Sequence, residues 1–130
     1  MMPLLLLAAA SADLDALDQA VARCDRVAVN PVFSAEAARR AQVLLDTYKE
    51  QESIVADRLA LAEQRRTFRE AGPIKAADDK QLQLQEGAID DRQKALNDKR
   101  MLEGIRQDAM DTMRRYFLNN CPAGGSDKAK

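Results

Sequence analysis

The stretch "FREAGPIKAADD", Phe68–Asp79, interrupts an otherwise continuous helical pattern and decides the fold. Upstream of it, from Ser34 to Ala71, the chain holds neither Gly nor Pro and is rich in strong helix formers. Gly72 stands where a helix end takes up positive φ, and Pro73 bars the helix from continuing. Helical character resumes near Ala76 and runs to about Asn120. Long helices joined by so short a break fold back on each other. The expected elements are helices over about 13–29, 34–71 and 76–120, with the hairpin turn at 72–75 around Gly72 and Pro73. They define an all-α fold: an elongated, coiled-coil-like antiparallel helical hairpin. A short third helix at the N-terminus packs at its open end, all within one helical domain, 13–121.

The apolar pattern supports this reading. Leu14, Leu17, Val21, Cys24 and Ala28 recur in steps of three and four and mark one face of the first helix. Asn30-Pro31 is expected to end that helix, because a residue before Pro is pushed away from helical geometry. Asn30 or Ser34 then caps the next one. Along the second helix Ala41, Leu45, Tyr48, Val55, Leu59 and Ala62 form the expected seam, with Glu52 as its polar lapse. The third helix offers Leu82, Ile89 and Leu96, then a seam displaced to Leu102, Ile105 and Ala109. Met110, Met113, Tyr116 and Phe117 broaden its end. Reflection through the turn sets Gly104 opposite Ala41 and predicts a close approach of two helix backbones there.

The same reflection speaks to the two cysteines. The midpoint of Cys24 and Cys121 falls between Gly72 and Pro73, so both thiols come to the same end of the hairpin. A disulfide between them is predicted, closing a loop of nearly 100 residues for up to about 4.7 kcal/mol on the chain-entropy model. Pairing between two chains is one rival reading, and a free or catalytic thiol is the other. It lacks an activating His, and the spacing is no Cys-x-x-Cys motif.

The chain begins "MMPLLLLAAASADLDALD". The apolar run Pro3–Ala10 leads into Ala10-Ser11-Ala12, which has the small-x-small form of a secretory cleavage site. Residues 1–12 are therefore read as a signal peptide cut after Ala12. The mature chain is then periplasmic or secreted, an oxidising setting that suits the disulfide. A cytoplasmic protein with an oily N-terminus is the alternative. No Cys follows the cleavage site, which argues against a lipoprotein anchor. The run is too short for an integral span, which takes about 20 apolar residues. The small, polar tail 122–130 is expected to be disordered.

Composition narrows the function classes. The chain has 130 residues, 32% charged and 4% aromatic, with no Trp and no His. Twenty basic against 21 acidic side chains leave a net charge of −1. With the signs interleaved and few aromatics to stack bases, nucleic acid is not the expected partner. Without His, two Cys cannot complete a four-ligand zinc site, and Asp78-Asp79 and Asp90-Asp91 point apart on a helix. No metal, cofactor or catalytic residue is expected, and the chain is not read as an enzyme. Arg39-Arg40 and Arg114-Arg115 reflect toward the same end and suggest a patch for an anionic or acidic partner. The reading that remains is a structural or protein-interaction module, with a protein partner or self-association as a homodimer.

The export signal, the β-branched segment "RVAVNPVF" (Arg26–Phe33) and the long charged helices together resemble the general layout of the Skp/OmpH-type periplasmic chaperones. The resemblance implies a holdase-type chaperone as the alternative function. That family completes its trimer with strands from both chain ends, whereas "YFLNNCPAGGSDKAK" offers no such strand and the paired cysteines depart from the layout.

Overall fold

The computed structural model describes the backbone of residues 3–122 and the side chains of residues 13–122. Three helices follow one another: α1 (Pro3–Ala22), α2 (Arg26–Glu70) and α3 (Ala76–Asn120), with no strand among the described residues. The fold is an all-α hairpin of α2 and α3, with α1 packed where the chain ends meet. The expected signal peptide and its cleavage at Ala12 lie outside the residues whose side chains are described. So does the expected disordered tail beyond Pro122.

The first break lies at Arg23–Asp25 and not at Asn30-Pro31. The hydrogen bonds show why. The Cys24 N–H donates to the Val21 carbonyl (3.0 Å) and the Asp25 N–H to the Ala20 carbonyl (2.9 Å). These are the two bonds of a helix C-cap whose C′ residue turns left-handed. Cys24 occupies that place with φ of 54°, where Gly is usual. Asp25 then starts α2. Its carbonyl accepts from Ala28 and Val29 (3.1 and 3.0 Å), and its carboxylate accepts from the Ala28 N–H at 3.2 Å. Asp25, not Asn30 or Ser34, is thus the N-cap.

Pro31 sits inside α2. It lies in the second turn, so it forfeits one hydrogen bond, to the Val27 carbonyl, with only one turn of helix before it. Keeping the helix continuous buries Val29 completely and lays Phe33 against Phe117, ring centroids 6.1 Å apart. "RVAVNPVF" is accordingly the first two turns of α2, despite its β-branched composition. The predicted boundaries 13–29 and 34–71 give way to Pro3–Ala22 and Arg26–Glu70.

At the other end of α2, Gly72 takes φ of 128° and donates its N–H to the Arg69 carbonyl at 3.2 Å. Pro73 follows, and α3 starts three residues later with Asp78 and Asp79 in its first turn. Acidic groups there complement the positive helix N-terminus.

The chain divides into two compact units: Ala41–Glu103, and the chain on either side of it. In the Ala41–Glu103 unit the buried cluster is Ile54, Leu61, Leu82, Ile89 and Leu96, with Phe68 against it. In the other it is Leu17, Ala20, Val21, Val29, Met110, Phe117 and Cys121, joined by Leu14, Cys24, Phe33 and Met113. Positions seven apart carry both clusters: Phe33, Arg40, Thr47, Ile54, Leu61 and Phe68 on α2, and Leu82, Ile89, Leu96, Glu103, Met110 and Phe117 on α3. In sequence, Arg40 and Glu103 interrupt these rows with a charge, and Thr47 interrupts the α2 row with a hydroxyl.

That row overturns the predicted α2 seam. Leu45, Tyr48, Val55 and Leu59 are exposed, and the seam runs through Thr47, Ile54 and Leu61 instead. On α3 the seam does not shift to Leu102 and Ile105, which are exposed too. The reason is polar. The steps between apolar rungs are filled by paired groups: Gln51 with Gln93 (2.9 and 3.1 Å), Arg58 with Asp90 (3.0 Å) and Arg65 with Glu86. Such groups lose little where a half-wet seam lets each find a partner. Thr47 is buried, and its hydroxyl donates to its own helix at the Val43 and Leu44 carbonyls (2.9 and 3.0 Å). Gly104 makes no close approach, since a Cβ there meets nothing within 4 Å.

Candidate interaction surface

Three features bear chemistry, and each is built by one of the two units. The first is the junction of α1 with the end of α3. Cys24 and Cys121 are joined by a disulfide, Cα atoms 5.4 Å apart, across 97 positions of sequence. The Arg26 guanidinium lies 5.0 Å from the Phe117 ring centroid and donates to the Cys121 carbonyl at 3.5 Å and to that of Pro122. A cation over a ring and beside the last carbonyls of a helix is favourably placed on both counts. With no free cysteine in the chain, neither sulfur is available as a nucleophile.

The second feature is a charge cluster on the same unit. The Glu36 carboxylate, 11% exposed, accepts from Arg39 (2.7 Å), Arg40 (2.7 Å) and Arg106 (3.2 Å). The Arg39 hydrogen bond outweighs the opposing cost of burial, and with Arg40 and Arg106 it holds the carboxyl down at about 2. Arg40 reaches on to Asp111 at 2.8 Å and to the Gln107 carbonyl at 3.3 Å. The predicted cationic patch is therefore not an open one at Arg39-Arg40: these guanidinium groups answer carboxylates of the chain itself. A shallow groove beside the cluster is lined by Pro31, Val32, Ala35, Glu36, Arg39 and Arg106.

The third feature is the outer face of α2 in the Ala41–Glu103 unit. Leu44 (71% exposed), Leu45, Tyr48, Val55 and Leu59 (67%) stand in solvent there. Leu84, Met101 and Leu102 of α3 are exposed as well. The unit thus exposes more large apolar side chains than it buries. Single exposed apolar residues are ordinary, but a row of them at helical spacing marks a contact surface. The sequence pattern finds the row and assigns it to the wrong side of the helix.

Of the other residues singled out from sequence, Gly72 and Pro73 form the turn between α2 and α3. Among the described residues no three Cys, Asp or Glu side chains converge as a metal site. No described helix is long and apolar enough to cross a membrane. Comparison with family models, curated proteins and solved structures returns no match.

Proposed function

We propose that the chain is an exported, non-catalytic protein-interaction module that uses the outer apolar face of α2 as its contact surface. The observation that carries this reading is the row Leu45, Tyr48, Val55 and Leu59, left exposed on a helix whose inner face is already partnered. Burying such side chains on association releases about 25 cal/mol per Å². Export to an oxidising compartment accords with the disulfide, which cytosolic reductants would oppose.

Co-purification and crosslinking of the tagged, full chain test the contact face. Leu59→Glu and Tyr48→Glu should each remove the specifically crosslinked species, whether a partner protein or a second copy. Their helical content should stay that of the native chain, because both positions are already in solvent. Unchanged crosslinking in both variants would overturn the reading. Export is read from intact mass: a product lighter by residues 1–12 and by two hydrogens is expected. A holdase of the Skp/OmpH kind would draw on the same apolar face. Light scattering from an aggregating client separates the two readings, since an interaction module gives no suppression.

A further inference from the structure

We infer that the outer face of α2 is an isologous interface, and that its occupant is a second copy of this chain lying antiparallel on the first. The inference rests on the contact surface just proposed and names its partner.

The row reads alike from either end. Starting from Ala41 it runs small, Leu45, Tyr48, polar lapse, Val55, Leu59, and small again at Ala62. A two-fold axis on a single helix face sets each residue against the mirrored part of the same row, so a row that reads alike from either end puts apolar on apolar along its length. Reversal about the lapse at Gln51-Glu52 sets the Leu45–Tyr48 half of one copy on the Val55–Leu59 half of the other. The alanines at both ends let the helix backbones close together.

The charges agree. The charged groups along the α2–α3 seam are tied within the chain: Glu50 and Asp57 to Arg92, Arg58 to Asp90, Arg65 to Glu86. Lys49 and Glu52, at the centre of the outer row, are exposed and make no ion pair among the described residues. They stand one turn apart at the middle of the row. An antiparallel copy therefore carries the Lys49 ammonium of each chain to the Glu52 carboxylate of the other, in two equivalent pairs. The second copy thus brings a further counter-charge to the lone acidic residue of the apolar row.

The area is sufficient. Leu44, Leu45, Tyr48, Val55 and Leu59 each keep between 45% and 71% of their surface in solvent. At roughly 100 Å² apiece they bring about 1,000 Å² to a two-fold interface, before the stems of Gln42, Lys49 and Glu63 are added. That reaches the lower bound for a specific protein contact.

Sedimentation equilibrium of the full, oxidised chain tests the assignment with four proteins: wild type, Leu59→Glu, Lys49→Glu and the swap Lys49→Glu/Glu52→Lys. Circular dichroism of each confirms folding, since all three positions lie in solvent in the single chain. The wild type should be dimeric in the micromolar range. Leu59→Glu should be monomeric, and Lys49→Glu should associate at least about tenfold more weakly. The double swap should recover most of the wild-type association. A wild type that stays monomeric, or a double swap no tighter than Lys49→Glu alone, overturns the antiparallel second copy. If the monomeric wild type still crosslinks a protein partner that Leu59→Glu loses, the contact face stands and only its occupant is wrong.

Discussion

Cys24 carries two demands at one residue. It must reach Cys121, and as the C′ residue of α1 it must hold φ of 54°. A non-Gly side chain in that region costs about 1 kcal/mol. Within a Cys121→Ala background, where no bridge can form, Cys24→Gly is therefore expected to be more stable than Cys24→Ala by about 1 kcal/mol. Urea denaturation measures the difference, and equal midpoints would remove the strain argument. Glu36 makes a second prediction at this scale. Its carboxyl sits near 2 in the folded chain against an ordinary 4.5, so the folded state binds fewer protons than the unfolded state between those values. The stabilisation is present in full above about pH 4.5 and is lost as pH falls toward 2. The full shift sets an upper bound of about 3 kcal/mol, which solvent screening of the ion pairs reduces. Glu36→Gln should be less stable than wild type at neutral pH, and the gap should close on acidification. Parallel stability curves for the two proteins would sink the claim.

At the scale of the helix, α2 carries two apolar rows, and periodicity alone cannot say which one meets α3. The row Ala41–Leu45–Tyr48–Val55–Leu59–Ala62 is the more hydrophobic of the two and looks the better seam. The row that α3 covers includes Arg40 and Thr47 and looks worse. What chooses it is complementarity. On its side Gln51, Arg58 and Arg65 find Gln93, Asp90 and Glu86. Those pairings depend on α3 being present and leave no mark in the sequence of α2 read singly. The break at Cys24 was hidden for a similar reason, since a left-handed cysteine has no compositional signature whereas Pro31 has a strong one. Gly87 and Gly104 of α3 give an element-scale prediction. A Cβ at either meets nothing within 4 Å, and neither backbone needs positive φ. Gly87→Ala and Gly104→Ala should each stabilise the chain by about 1 kcal/mol in thermal or urea denaturation. Loss of stability at Gly104 would restore the close-approach reading.

For the whole molecule the governing fact is a thin interior. Among the described residues two modest clusters hold 12 buried apolar side chains between them, and many large apolar side chains stay exposed. In a chain like this the disulfide carries a large share of stability, because total stabilities are typically about 5–15 kcal/mol. Reduction of Cys24–Cys121 should lower the free energy of unfolding by up to about 4.7 kcal/mol, measured by urea denaturation with and without a thiol reductant. A loss below about 1 kcal/mol would show that the helices hold together without it. The all-α class and the reversal at Gly72-Pro73 are legible in the amino-acid order alone, because helix propensity, Gly and Pro act locally. The two cysteine numbers, symmetric about that turn, follow the same local logic. Which face of α2 is buried, and that Cys24-Asp25 ends one helix and caps the next, emerge only from the packed fold. Both depend on partners far away in the chain: the polar groups of α3 in one case, Cys121 and Phe117 in the other.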